Sequence, residues 1–599
     1  MDKRLAGHSF HIPVMGISFT IDTPIKVAHY GISSVISIVD DILVEKMREF
    51  YASSVGETFI SISDKTEDFR AKRITAYLNL VDRIVKDKFD NLKNSLVEKG
   101  SDIEKYMDLL PDLSGVKQKF LEVSKQDNIK ELKDWLNENL TPGSIDVNIM
   151  TKLDKVNYAN GEELPSIYND AHAALRGFAN STLESSVVLS AGMNPRLYGY
   201  IEQFEDFYPN EETGAIKKKV ILKVSDYRSA LIQGKFLAKK GIWVSEYRVE
   251  SGLNCGGHAF ATDGFLMGPI LEEFKNNRQE LTNATFETYS KVLQTKERFS
   301  PEQAPEIKIT AQGGVGTSEE HQFLLDYYNI DCVGWGTPFL LVPEVTTVDK
   351  HTITLLVDAK EEDLYLSNIS PLGVPFNSLR GNTKDIEKLE WIAKGKPGSS
   401  CPKKYLVSNT EFTKRAICSA SRQFQALKIK ELKREGLNED DFTKAYDKIV
   451  DKSCICVGLG TTALINNDLD MKEEGDTVSI CPGPNMAYFS KVSTPDQMIG
   501  HIYGKNNIME RTDRPNMYIK ELGMYLDYLK NKIAEEPTPI SPKQLRYFNK
   551  FKNNLMSGIA YYKQLYTEIN ASLVPEFNEF EKELCAFPLF REENEAILN

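Results

Sequence analysis

The chain reads as an α/β protein: a (β/α)8 TIM barrel with a large helical insertion, followed by a cysteine-containing segment and a helical C-terminal region. Three observations predict the barrel. Apolar strand-like segments alternate with amphipathic ones through the first half, the sequence sign of a parallel sheet covered by helices. Counted in order, these segments number roughly eight by Leu341, enough to close a barrel. The last two, in EIKITAQGGVGTSEE and NIDCVGWGTPFLL, both end in glycines: Gly313, Gly314 and Gly316, then Gly334 and Gly336.

His11–Ser18 (HIPVMGIS) is the first strand candidate, and TPIKVAHYG is a helix ending at Gly31, where a C-cap glycine belongs. SSVISIVDD is the second strand, and ETFISISD, ending near Asp64, the third. From Lys65 to Leu183 charged residues recur at helical spacing, as in AYLNLVDRIVKDKFDNLKNSLVEKG and NIKELKDWLNENL, which predicts a mainly helical insertion. SSVVLSAGM, KKVILKVSD and KGIWVSEYR then resume the strands. Beyond Thr347 the pattern changes, and the tail is a series of amphipathic helices such as MYIKELGMYLDYLKNKIAEE. The expected organisation is a barrel in 1–64 and 184–385, a helical insertion in 65–183, a cysteine-rich region in 386–504 and a helical region in 505–599.

At 599 residues the chain exceeds one ordinary core. No apolar run is long enough to span a bilayer, so no membrane partner is expected. The segment MDKRLAGHSFHIPVMG lacks the apolar stretch of a secretory signal, so a cytoplasmic location is expected. The formal charge of −13, without a basic block, argues against nucleic acid as the main partner. A small-molecule substrate is the expected partner, and the apolar faces of the tail helices leave a homo-oligomer open.

Glycines at consecutive strand ends let amide N–H groups converge on an anion. A barrel holds a phosphate in this way after its seventh and eighth strands, which points to flavin mononucleotide (FMN) or another phosphorylated ligand. Ordinary tight βα turns are the alternative. GLNCGGH, after the strand in IWVSEYRVES, places His258 at the C-terminal end of a barrel strand, where barrel active sites are built. With an unperturbed pKa of about 6.5, a histidine there is poised to take a proton at neutral pH. A histidine satisfied by hydrogen bonds under a loop is the bland alternative. Asp226 and Arg228 read as surface loop residues, and VGLGTTA (457–463) as a helix entry rather than a dinucleotide turn.

Five of the eight cysteines, Cys401, Cys418, Cys454, Cys456 and Cys481, crowd into one segment. A Cys-x-Cys pair and two Cys-Pro steps suggest a 4Fe–4S cluster on Cys401, Cys454, Cys456 and Cys481, with Cys418 in reserve. Such a relay would imply an electron-donor protein as partner. Structural zinc and plain packing of free thiols are the alternatives.

Taken together, HIPVMG, GLNCGGH and the AQGGVGT…VGWGTPFL pair resemble the FMN-dependent nitronate monooxygenase (2-nitropropane dioxygenase-like) family, as does LSNISPLGVPFNSLRGN. The resemblance covers residues 1–385 in order, apart from the insertion. It implies that Met15, Gly16 and Lys223 approach the flavin ring and that Gly256 and Gly257 pack beside it. Gly313, Gly314, Gly336 and Thr337 would bind its phosphate, and His258 would be the base that deprotonates the substrate. Where the family has a small residue or an acid before the paired glycines, this chain has Asn254-Cys255. The implied function is a flavin-dependent oxidoreductase of the nitronate monooxygenase-like group. The alternatives are an enoyl reductase-like flavoenzyme and a non-redox phosphate-ligand barrel holding zinc.

Overall fold

The computed structural model describes residues 7–95, 101–126, 128–151, 153–190, 192–254, 256–259, 262–536 and 540–587. Eight strands form the barrel: β1 (Phe10–Ile12), β2 (Ser33–Ser37), β3 (Ile145–Ile149), β4 (Ser186–Leu189), β5 (Lys219–Val224), β6 (Val244–Glu250), β7 (Lys308–Gln312) and β8 (Cys332–Gly334). Every neighbouring pair is parallel. The ring closes where β1 lies between β2 and β8, with His11 opposite both Ser33 and Gly334.

The helices cover this sheet. α1 (Asp41–Ser54) follows β2, and Asp40 caps it by accepting the Leu43 N–H at 2.9 Å. This is the standard way to satisfy an orphan donor at a helix start. α2 (Phe69–Asn94) packs on α1. α3 (Tyr227–Ala238) follows β5, α4 (Met267–Thr295) follows β6, and α5 (Ser318–Tyr327) follows β7. Further along come α6 (Ile455–Asn466), α7 (Met517–Ala534) and α8 (Pro542–Ile569). Gly31 adopts the left-handed C-cap conformation that its position suggests, at φ 79°.

Side chains two apart on a strand share a face, so the barrel interior can be read in layers. Val35, Val188 and Ile221 form a small apolar cluster of their own. Two residues further along each strand or its end stand Ser37, Ser190 and Lys223, which line the cavity at the mouth. The β6 side of the interior is charged. Burial opposes ionisation of Glu246, but Arg248 at 2.7 Å outweighs it and holds the carboxyl below its usual range.

Two expectations about the strands need correction. ETFISISD is not a strand, and the third barrel strand is IDVNI, inside the stretch read as insertion. The first segment alternates but has no sheet neighbour; Ile60 is 75% exposed, and the Ile60 and Ile62 carbonyls accept from Arg48 and Arg73. In β3 the polar residues Asp146 and Asn148 alternate with apolar ones, so the segment does not read as an apolar run.

The tail helices are bolted to the loop that leaves β6. Tyr525 Oη accepts the Gly252 N–H at 2.8 Å, and Tyr562 Oη accepts the Gly268 N–H at 2.9 Å. A Cβ on either glycine would fall 2.2 or 2.4 Å from the facing tyrosine ring. Between them the Glu521 carboxylate accepts the Met267 N–H at 3.0 Å.

Burial pushes the Glu521 carboxyl up to about 7, against the pull of its hydrogen bonds from Met267, Ser251 and Tyr562. The folded state therefore keeps this proton to higher pH than the unfolded chain, where a Glu titrates at about 4.3. The stabilisation is complete below that value and is lost as pH rises through about 7. Urea unfolding at pH 5 and pH 8 should show stability falling over this interval. Glu521→Gln should shrink the fall by on the order of 3 kcal/mol; an unchanged fall would mean that Glu521 titrates normally.

Candidate functional site

A cavity of about 210 Å³ lies at the C-terminal ends of the barrel strands. Its floor is the mouth layer: Ser37, Asn148, Ser190, Lys223, Glu250 and Gln312. Its walls come from Gly16 and Ile17 after β1, Gly256–His258 after β6, and Leu372 and Phe376. The region beyond the barrel adds Tyr405, Leu406, Ile455, Cys456, Leu459 and Cys481.

The polar floor is a connected network. Lys223 Nζ lies 3.1 Å from the Glu250 carboxylate, which also accepts from Gln312 Nε2. Gln312 Oε1 lies 3.3 Å from His11 Nε2. Burial, helped by the Arg248 charge, lowers the His11 pKa to about 3, so the ring is neutral and donates Nε2–H to Gln312. Asn148 Oδ1 is buried in the same floor without a hydrogen-bond partner among the described residues. An acceptor left this way faces a cost of about 1–3 kcal/mol unless a ligand or water supplies a donor.

His258 is held from several sides. Its Nε2 lies 2.7 Å from Ser370 Oγ, and its ring stands edge-on to Phe376 with centroids 5.0 Å apart. Asn254 Nδ2 donates to the His258 carbonyl at 2.6 Å, while Asn377 Nδ2 donates to Asn254 Oδ1 at 3.0 Å. The Gly257 N–H donates to the Cys481 carbonyl at 3.2 Å, and Gly257 O accepts the Asn377 N–H at 2.9 Å. Gly256, at φ 124°, approaches the same Cys481 carbonyl so closely that a Cβ would lie 2.0 Å from it.

The residues expected from sequence fall into groups. Gly16, Lys223, Gly256, Gly257 and His258 line the cavity, while Met15 is buried beside it in the chain. Cys255 lies outside the described residues. Gly313, Gly314, Gly336 and Thr337 follow the ends of β7 and β8 and do not line the cavity; a Cβ on Gly313 would sit 2.7 Å from the Asn254 Cα, at the cavity's edge. Gly313, Gly314 and Gly336 are buried, and their N–H groups have no acceptor among the described residues. Buried donors of this kind are rare in native structures. Thr337 Oγ1 accepts the Gly483 N–H at 2.9 Å. Arg514 lies alongside, donating to the Gly314 carbonyl at 2.8 Å and paired with Glu320.

The cysteines expected to hold a cluster do not all face one cavity. Among the described residues no three His, Cys, Asp or Glu side chains are grouped to hold a metal ion. Cys454 precedes α6 and Cys456 lies in its first turn. Cys456 lines the barrel-mouth cavity, and Cys454 lines a different one. Cys481 sits over the mouth, where its carbonyl accepts the Gly257 N–H. VGLGTTA lies within α6, as a helix entry, and the Leu459 carbonyl accepts the Ser18 N–H at 3.0 Å. Asp226 caps α3 by accepting the Ser229 N–H at 2.7 Å.

Sequence reasoning missed Ser37, Asn148, Ser190, Glu250 and Gln312 in the floor. A signal existed for two of them: Glu250 is two residues beyond the inward Arg248, and Gln312 directly precedes the glycines. No local signal marks Tyr405, Leu406, Ile455 or Leu459.

No family model matches the chain, and no curated protein matches it. Among solved structures the chain is similar to FabK from Thermotoga maritima, at 14% identity over 68% of this chain and 84% of that one, with a TM-score of 0.31. It is similar to the enoyl reductase domain of MlnA from the macrolactin biosynthesis cluster of Bacillus amyloliquefaciens, at 13% identity over 70% and 93%, with a TM-score of 0.31. A nitroalkane oxidase from Streptomyces ansochromogenes gives 10% identity over 62% and 76%, with a TM-score of 0.28. Likenesses of this size assign no function to the chain, and the barrel rests on its own strand order.

The close approach at Gly256 can be measured. Gly257 is also left-handed, at φ 77°, but a Cβ there meets nothing within 4 Å among the described residues. Gly257→Ala should therefore cost only backbone strain, about 1–2 kcal/mol in urea unfolding. Gly256→Ala should cost clearly more, because the Cys481 carbonyl must move. Equal losses would remove the argument for a tight wall at this point.

Proposed function

We propose that the barrel mouth binds FMN and that the chain is a flavin-dependent oxidoreductase of the nitronate monooxygenase-like group, acting on a small-molecule substrate with an acidic C–H. The observation that carries this reading is the set of N–H groups of the buried glycines Gly313, Gly314 and Gly336, without acceptors among the described residues, of which Gly313 stands against Asn254 in the wall of a cavity with a polar floor. Backbone donors at successive strand ends suit an anion where they converge on it. Thr337 and these three glycines would hold the phosphate. Lys223, Asn148 and Gln312 would meet the polar edge of the ring, and Gly16 and Gly257 leave room beside its face. When bound, FMN supplies the redox chemistry, and the protein supplies position and a proton path.

His258 is the group placed to carry that proton. In its charged form both ring nitrogens are donors, and Ser370 Oγ, 2.7 Å from Nε2, can accept one of them. Ser370 is fully buried and accepts the Leu372 N–H at 3.2 Å, so its oxygen is fixed in place. Phe376 against the ring limits its rotation and excludes water from that side.

Two variants test the reading. Gly314 is at φ 81°, and a Cβ there would meet Leu253 at 2.9 Å. Gly314→Val should stay folded by circular dichroism but bind FMN more weakly by on the order of 10², since charge-assisted contacts to the phosphate are lost. A folded variant with undiminished FMN affinity would place the phosphate elsewhere. His258→Ala should keep its FMN affinity and lose turnover of a nitronate by a factor on the order of 10²–10⁴, the span of a general base. Unchanged turnover would reduce His258 to a structural role.

A further inference from the structure

Segments beyond the barrel enclose a second cavity, of about 190 Å³. Lys384, Lys388 and Trp391 reach it from the helix Thr383–Ala393, and Arg422 from the first position of the helix Arg422–Leu432. Lys452 and Ser453 reach it from the turn before α6. None of these residues lines the cavity at the barrel mouth.

Most of the charge around this cavity is already matched. Glu387 lies 2.5 Å from Lys384 Nζ and accepts from Thr477 Oγ1 at 3.0 Å. Glu474 stands 3.0 Å from Lys46 and 3.5 Å from Lys403. Lys388 lies 3.3 Å from Asp451 and 3.7 Å from Asp385. Among the described residues, Arg422 and Lys452 are left without an ion pair. Glu473, the lining acid likewise left over, is exposed at the rim.

Arg422 is fixed in place without spending its donors. Its guanidinium lies over the Trp391 ring, 4.4 Å from the centroid, and its Nη2 donates to the Gly398 carbonyl at 3.3 Å. Its backbone N–H donates to the Ser399 carbonyl at 2.8 Å. Gly398, at φ 91°, approaches so closely that a Cβ would lie 2.7 Å from the Arg422 Cα. Nε and Nη1 have no acceptor among the described residues. An arginine offers five N–H donors in a planar fork that matches an oxyanion, and here one nitrogen of the fork is used on the protein.

The turn before α6 adds further donors. Lys452 Nζ donates to the Asn368 carbonyl at 2.5 Å. Ser453 is 4% exposed, and its hydroxyl has no hydrogen bond among the described residues. α6 itself has 12 residues and no side-chain cap. The start of a helix carries partial positive charge and free N–H groups, which favour an anion.

We propose that this cavity binds a phosphate group, held by Arg422, Lys452, Ser453 and the start of α6. Two cations without carboxylate partners match the charge of about −2 that a phosphate monoester carries at neutral pH. The volume leaves room for a small organic group on the phosphate, so inorganic phosphate and a phosphate monoester are the two sources to separate. The proposal stands whether or not FMN binds at the barrel mouth.

The test is calorimetric titration of the full-length protein with inorganic phosphate and with glycerol 3-phosphate, at constant ionic strength. Saturable binding is expected, and the tighter of the two probes identifies the source. Arg422→Gln and Lys452→Gln should each weaken it by about tenfold or more, the worth of one hydrogen bond to a charged group. Gly314→Val, in the barrel, should leave it unchanged. In the wild type, bound phosphate should also protect Lys452 from acetylation by acetic anhydride, read by peptide mass, and leave the exposed Lys394 unprotected. That measurement decides if the variants fail to fold. Absence of saturable binding of either probe by folded wild-type protein would overturn the proposal. So would binding that leaves Lys452 unprotected, or that Gly314→Val removes and Arg422→Gln does not.

Discussion

The site depends on one buried ion pair, Asp40 with Lys403. Asp40 ends the turn after β2 and is 1% exposed; it caps α1, pairs with Lys403 and accepts a hydrogen bond from Tyr405 Oη at 2.9 Å. Lys403 also faces Glu474, which in turn pairs with Lys46 of α1 at 3.0 Å. Two charges removed from water repay their desolvation only with good geometry and further hydrogen bonds, and losing one partner costs about 3–5 kcal/mol. Here both conditions are met by residues 363 positions apart in sequence. The pair fixes the loop that carries Tyr405 and Leu406, so the wall of the barrel-mouth cavity is set by an interaction outside the barrel.

The same logic runs round the mouth. The Leu459 carbonyl holds the Ile17 and Ser18 amides, the Cys481 carbonyl holds Gly257, and Asn377 holds both Gly257 and Asn254. Tyr525 and Tyr562 fasten the tail helices to the loop that continues from β6 toward α4. The strands supply a polar floor, and the later segments supply the enclosure. An enclosed polar floor is where fixed hydrogen bonds act in a lowered dielectric and therefore count for more. The enclosure also explains why glycines recur there: at Gly252, Gly256 and Gly268 another residue stands where a Cβ would be.

The sequence made the barrel legible where strands were apolar on both faces, as in SVVL and KVILKV. It concealed β3, whose Asp146 and Asn148 turn polar side chains into a partly charged interior, and it offered ETFISISD, an alternating segment that finds no sheet neighbour. His258, Lys223 and the paired glycines could be found because each follows or ends a strand, and strand ends are local. Tyr405, Leu406 and Leu459 could not, because their place in the cavity comes from contacts between distant segments. The cysteines misled for a different reason. Crowding in sequence was read as crowding around one centre, whereas Cys456 and Cys481 line the barrel mouth and Cys454 lines another cavity.

The central claim, that the barrel mouth is built for a flavin carrying a phosphate, is tested most directly by titrating the purified protein with FMN and with riboflavin and following flavin fluorescence. The account predicts saturable binding of one FMN per chain, and riboflavin weaker by on the order of 10² because it lacks the group that the Gly313, Gly314 and Gly336 amides would bind. Equal affinity for the two, or no binding of either by folded protein, would contradict it.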